Sequence, residues 1–137
     1  MSSILFVDDN EDTCRIMSLV IARAGHRCIC ANSVAEAEEK LAEETPDLII
    51  ADLMMPYESG IDLIRSARGN ARTREIPIIV YSAVTDEPYV ERAMEAGATD
   101  YWLKGAIHGN DFARRLQPYL PGGTGWSEPW PGQHLQA

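Results

Sequence analysis

Four short apolar runs each end in a residue able to do chemistry: Ile4-Leu5-Phe6-Val7 in Asp8-Asp9, Leu48-Ile49-Ile50-Ala51 in Asp52, Ile78-Ile79-Val80-Tyr81 in Ser82, and Tyr101-Trp102-Leu103 in Lys104. If the runs are neighbouring parallel strands, their carboxyl ends share one sheet edge, where open α/β sheets bind their ligands. Three carboxylates, a hydroxyl and an ammonium then converge. At ~4 Å and an effective dielectric near 20, each pair among Asp8, Asp9 and Asp52 repels by about 4 kcal/mol. A divalent cation removes that problem. Hard oxygen ligands, few in number and leaving room for waters and a phosphate oxygen, suit Mg²⁺ better than a dedicated Ca²⁺ cage. An EF-hand loop starting at Asp8 fails, because Thr13 stands where Gly is needed and Leu19 where the bidentate Glu is needed.

Each of these residues also has an ordinary reading. Asp after a strand often caps the next helix, but Met54-Met55-Pro56 intervenes before the apolar periodicity resumes near Ile61, so Asp52 caps nothing. Asp8 and Asp9 could merely favour the positive end of the first helix, although Glu11 and Asp12 already fill that turn. For this pair the residues alone leave both readings open. Lys104 precedes a helix, the wrong end of its dipole for a cation, and so calls for an anionic partner; snorkelling is the alternative. Ser82 by itself is an unremarkable turn hydroxyl, and its weight comes from its place at a strand end.

The elements that must position these groups alternate strand-like and helix-like five times, the signature of βα units and a mostly parallel sheet. Cys14, Met17, Ile21 and Ala24 recur at helical spacing with Gly25 just beyond. Arg27 to Ala31 reads as a strand, and Ser33 with Glu36 can form a capping box for a helix running to about Glu44. A third helix carries Ile61, Ile64 and Ala67. Pro77 sits near the start of the fourth strand, and a fourth helix runs from about Asp86 with Gly97 as its stop. Asn110 is expected to cap the last helix, which turns Phe112 and Leu116 inward and ends at Pro118. Residues 1–119 make one domain. Residues 120–137 are rich in Pro and Gly and read as a tail, in which Trp126 and Trp130 either fold back onto the domain or act as a docking peptide.

Composition narrows the function. A formal charge of -9, from 21 acidic residues against 12 Lys and Arg, opposes the field that a nucleic-acid surface needs. Three cysteines, Cys14, Cys28 and Cys30, lie within apolar patterns and suit a reducing cytosol. Cys28 and Cys30 would share one face of a strand, where packing is the reading preferred over metal, since no second Cys or His pair completes a tetrahedral set. With neither a signal peptide nor a membrane span in the sequence, a soluble, cytoplasmic protein is expected.

Val7-Asp8-Asp9, Asp52-Leu53-Met54-Met55-Pro56 with Gly60 four further on, Tyr81-Ser82-Ala83, and Gly97-Ala98-Thr99-Asp100-Tyr101-Trp102-Leu103-Lys104 resemble the receiver domain of two-component response regulators, over about residues 2–119. The resemblance implies a flavodoxin-like, doubly wound (βα)5 fold with five parallel strands in the order 2-1-3-4-5. It implies Mg²⁺-dependent transfer of a phosphoryl group to Asp52 from the phosphohistidine of a sensor histidine kinase or phosphotransfer protein. The domain catalyses its own phosphorylation and dephosphorylation and is not an enzyme acting on a separate substrate. Asp9, Asp52 and the Met54 backbone carbonyl would hold Mg²⁺ directly, and Asp8 partly through water. Lys104 would contact phosphoryl oxygens, Ser82 would move to bond the new group, and Tyr101 would turn inward behind it. The face formed by helix four, strand five and helix five would then control a downstream protein or form a homodimer.

Two features depart from that pattern. Gly105 follows Lys104 where the family usually has Pro, which leaves the customary cis peptide open. No output domain is expected in the tail, so signalling should run through a partner or another phosphorelay protein. Rival readings are a receiver-like adaptor that works without phosphate, which Gly105 supports, and a haloacid-dehalogenase-type phosphatase. The second rests on Asp9-Asn10-Glu11-Asp12-Thr13, but its second acid is Glu where Asp is expected and the chain lacks room for a substrate cap. Flavin binding is weaker still, because the acidic loop after the first strand would repel a phosphate.

Overall fold

The computed structural model describes residues 2–52, 54–55, 58–83, 87–105 and 109–121. Five strands, β1 (Ser3–Val7), β2 (Arg27–Ala31), β3 (Leu48–Ala51), β4 (Ile78–Ser82) and β5 (Asp100–Leu103), form one sheet. All its pairings are parallel and the order is 2-1-3-4-5, as the resemblance implied. Five helices alternate with them: α1 (Glu11–Arg23), α2 (Val34–Glu43), α3 (Gly60–Arg68), α4 (Glu87–Ala96) and α5 (Gly109–Leu116). A 3-10 turn, Gln117–Tyr119, follows and contains Pro118.

The strands are apolar along their length because helices cover both faces. Alternate residues point to opposite sides. Leu5, Val7, Ile49, Ala51, Ile78 and Val80 pack with Ile61, Ile64, Ala67 and Val90 on one face. Ile4, Phe6, Leu48, Ile50, Ile79 and Trp102 pack with Met17, Ile21, Phe112 and Leu116 on the other. Trp102 is wholly buried, and its ring meets Phe112 and Tyr119 edge-on. At the far edge of the sheet, Asp100 accepts hydrogen bonds from the Trp102 indole (3.0 Å) and the Tyr119 hydroxyl (2.6 Å). This clasp, with the Arg115 guanidinium 5.5 Å over the Trp102 ring, fastens the end of α5 to β5.

Local chemistry sets the helix ends. Asn10 caps α1 by accepting from the Thr13 N–H (3.0 Å). Ser33 caps α2 by accepting from the Glu36 N–H (3.0 Å). The Glu36 carboxylate reaches back one residue further than a standard box, to the Asn32 N–H (3.2 Å). Gly97 ends α4 with φ 121, the left-handed region that glycine takes without strain.

One expectation needs correcting, and one element was not foreseen. α5 begins at Gly109, so Asn110 lies in its first turn and does not precede it as a cap. Met54–Met55 pairs antiparallel with Glu58–Ser59, making a small ribbon between β3 and α3 that the sequence reading did not assign. Strands two residues long leave no periodicity to read. The tail tryptophans Trp126 and Trp130 lie outside the described residues. Among the described residues no helix is long and apolar enough to cross a membrane.

Candidate functional site

Register brings the strand ends together. Val7 stands opposite both Ala31 and Ala51, so the residues that follow leave the sheet at one level. The ladder continues one step beyond the strands: the Asp8 N–H donates to the Ala31 carbonyl (3.0 Å), that of Asp52 to Val7 (2.9 Å) and that of Lys104 to Ser82 (2.9 Å). These backbone bonds fix where the side chains start. The acids open into the crevice between β1 and β3, where the chain reverses its winding direction and an open α/β sheet leaves room for a ligand.

Asp8 is 1% exposed and fully engaged. One carboxylate oxygen accepts from the Lys104 ammonium at 2.7 Å and the other from the Asn10 N–H at 3.0 Å. Its carbonyl accepts from the Asn32 side-chain amide at 2.9 Å. Asp52, 8% exposed, takes a second hydrogen bond from Lys104 at 3.3 Å. Asp9 is exposed. Each of the three acids offers an oxygen lying within 4.8 Å of the other two. One ammonium does not balance three carboxylates, so a hard cation among these oxygens fits the donor set. The Met54 backbone lies in the ribbon two residues beyond Asp52.

Lys104 records the field of the site. Burial is the largest single influence and pulls its pKa down, but the contacts with Asp8 and Asp52 together outweigh it, and the net shift is upward. The anionic partner that its position demanded is thus a pair of acids.

Ser82 ends β4 with no exposed surface, and Tyr101 of β5 is 4% exposed. The Tyr101 phenol is hydrogen-bonded to Ser82; burial pushes its pKa up, and that bond works in the opposite direction. The aromatic already stands inside, against the hydroxyl. Tyr81, on the opposite face, is also pushed up by burial, with a smaller opposing effect from a hydrogen bond to the Gly105 backbone.

Every peptide bond among the described residues is trans. Gly105 has φ 82, where proline, held near -65°, cannot go. The glycine therefore shapes a different turn after Lys104 from the one a proline would make. Sequence reasoning missed Asn10 and Asn32, which hold Asp8 from its side-chain and backbone ends. The only hint lay in their adjacency to strand ends.

An open sheet in the order 2-1-3-4-5, with an acid pocket and a lysine at its switch point, defines a doubly wound α/β domain of the flavodoxin-like kind. Residues 4–116 match the family model of the response regulator receiver domain, and the chain belongs to that family. It is 34% identical over 102 residues to the phosphate regulon transcriptional regulatory protein PhoB of Pseudomonas aeruginosa, covering 74% of this chain and 44% of that protein. To the transcriptional regulatory protein KdpE of Mycobacterium tuberculosis H37Rv it is 34% identical over 128 residues, 93% of this chain and 55% of that one. The chain thus spans about half the length of the curated relatives it matches. Among solved structures, the signal receiver domain of a signal transduction histidine kinase from Syntrophus aciditrophicus superposes with a TM-score of 0.81 at 29% identity, covering 89% of this chain and 92% of that one. Chemotaxis protein CheY4 of Vibrio cholerae gives 0.82 at 25% identity, covering 88% and 99%.

Proposed function

We propose that the domain is a phosphoacceptor, in which an Asp52 carboxylate oxygen attacks the phosphorus of a phosphohistidine on a sensor kinase or phosphotransfer protein. The P–N bond breaks, the acyl phosphate forms, and the imidazole leaves with a proton. The observation that carries this reading is the convergence on Asp52 of the Lys104 ammonium at 3.3 Å and of oxygens from Asp8 and Asp9 within 4.8 Å. Asp9, Asp52 and the Met54 carbonyl are the residues that would hold Mg²⁺, with Asp8 acting partly through water. The ion would neutralise charge on the entering phosphoryl group.

The chain's own residues do the rest. Lys104 is within hydrogen-bond reach of Asp52 and can turn one donor to a phosphoryl oxygen while keeping Asp8. A new phosphoryl group adds roughly -1.5 to -2 charges and strong acceptors. Ser82 and Tyr101 share a hydrogen bond, so drawing the Ser82 hydroxyl toward the phosphate changes what Tyr101 bonds to. That population shift passes to the face of α4, β5 and α5, where Tyr89 is exposed with Arg92 stacked 5.6 Å from its ring centre. A downstream protein or a second copy would read that face. We assign the receiver to residues 1–119 and a separate tail to 120–137, whose removal should leave Asp52 phosphorylation intact.

Intact mass after incubation with acetyl phosphate and Mg²⁺ tests the reading. Wild type should gain one phosphoryl group, and excess EDTA or Asp52→Asn should abolish it. Undiminished modification in EDTA would count against the cation site.

A further inference from the structure

Cys28 and Cys30 take no part in the acid site, yet their thiols meet beside Cys14. On β2, Cys28 and Cys30 turn to one side, toward α1, with their sulfurs 3.9 Å apart. The Ser18 hydroxyl of α1 lies 3.6 Å from the Cys28 sulfur and 3.0 Å from that of Cys30. Cys30 donates to the Cys14 carbonyl at 3.4 Å, while the Cys14 thiol donates to the Asp8 carbonyl at 3.5 Å. All three thiols are free. Because β2 is an edge strand and Cys28 and Cys30 are half-buried, a small solute can reach the cluster from the rim of the sheet.

The spacing selects between two thiol chemistries. A disulfide needs sulfurs about 2.05 Å apart and Cα atoms within ~4.4–6.8 Å. Residues two apart on a strand are separated by about 6.6 Å, the stretched end of that range, and the sulfurs would have to close almost half their gap. A shared metal ion asks for much less: with metal–sulfur bonds of about 2.3 Å, two thiolates on one ion stand ~3.7–4.6 Å apart, from a tetrahedral to a linear sulfur–metal–sulfur angle. The chain has three cysteines, one short of an all-sulfur structural zinc site. A soft ion content with two thiolates fits the pair better.

We propose that Cys28 and Cys30 bind a soft monovalent d10 cation of the Cu(I) type between their two sulfurs. Binding forms metal–sulfur bonds and releases the thiol protons to solvent, with no change of oxidation state.

The full-length reduced protein, titrated anaerobically with Cu(I) against bathocuproine disulfonate, tests this, with sulfur coordination read by X-ray absorption. The expected result is one Cu(I) per chain on two sulfurs. Cys28→Ser and Cys30→Ser should each weaken binding by about 100-fold or more, while Asp52→Asn binds as wild type does. Cys28→Ala, checked for its fold by circular dichroism, should show the same loss, which separates a lost ligand from a lost structure. Equal affinity of wild type and the folded Cys28→Ala/Cys30→Ala variant would overturn the site. So would an affinity no higher than that of the urea-unfolded chain, or quantitative closure of a Cys28–Cys30 disulfide by diamide without copper binding.

Discussion

Two clusters of three like side chains meet at Asp8: the carboxylates of Asp8, Asp9 and Asp52, and the thiols of Cys14, Cys28 and Cys30. Cys14 donates to the Asp8 carbonyl at 3.5 Å, so the two share a backbone junction. Their energetics are opposite. Ionised acids repel and require a cation, which Lys104 supplies in part. Neutral thiols bury as small hydrophobes and need no partner to be stable. A protein keeps the first arrangement only for function, whereas the second can persist for packing alone.

Lys104→Met should break this comparison most forcefully. Removing the ammonium leaves Asp8, 1% exposed, facing Asp52 without its counter-charge. We expect a loss of about 3 kcal/mol in urea unfolding without divalent cation, partly recovered by Mg²⁺. A loss below about 0.5 kcal/mol, the size of a surface pair, would mean the carboxylates are not held by this lysine.

Smaller and of opposite sign are the single deletions within each cluster. Asp9→Asn relieves repulsion and should stabilise the cation-free protein by about 1 kcal/mol. Cys14→Ala empties a buried site and should destabilise it by about 1 kcal/mol. If both changes shift the unfolding midpoint in the same direction, the contrast drawn between the clusters is wrong.

The same contrast governs what could be read from sequence. Asp52 and Lys104 were legible because each contradicts a local rule, an Asp with no helix to cap and a Lys at the wrong end of one. The five-strand pattern was legible because sheets covered on both faces write continuous apolar runs. The Met54–Met55 ribbon and the first residue of α5 were not, since both turn on one or two residues of backbone pairing. Cys28 and Cys30 fit an apolar strand so well that proximity to Cys14 left no mark on the sequence. Asn32 was equally silent, because its role depends on Asp8 standing beside it in space.

Gly105 sharpens the acid side at smaller scale. With φ 82 and nothing within 4 Å of where a methyl group would stand, Gly105→Ala meets backbone strain but no clash, costing about 1 kcal/mol. Gly105→Pro cannot keep this backbone and should weaken phosphorylation further than Ala does, by displacing Lys104. Equal phosphorylation rates for Gly, Ala and Pro would show that the turn does not position the lysine.

The smallest expected effect is on alkaline stability. Lys104 has a folded pKa raised above its ordinary 10.5, so its contribution is fully present below that value and fades as pH rises through the folded one. Tyr81 and Tyr101 are raised from 10.0 and act in the same direction. Chemical denaturation across that range should show stability falling above about pH 10, and less steeply in Lys104→Met.

The central claim is that Asp52 alone of the three clustered carboxylates accepts a phosphoryl group, at a cation site it would share with Asp9 and, through water, with Asp8. Peptide mass mapping after acetyl phosphate treatment and borohydride reduction of the acyl phosphate tests it most directly, because reduction marks the acceptor permanently as homoserine. The account predicts the mark at Asp52 alone, with none at Asp8 or Asp9. A mark on either of those, or equal marking in protein carrying Asp52→Asn, would contradict it.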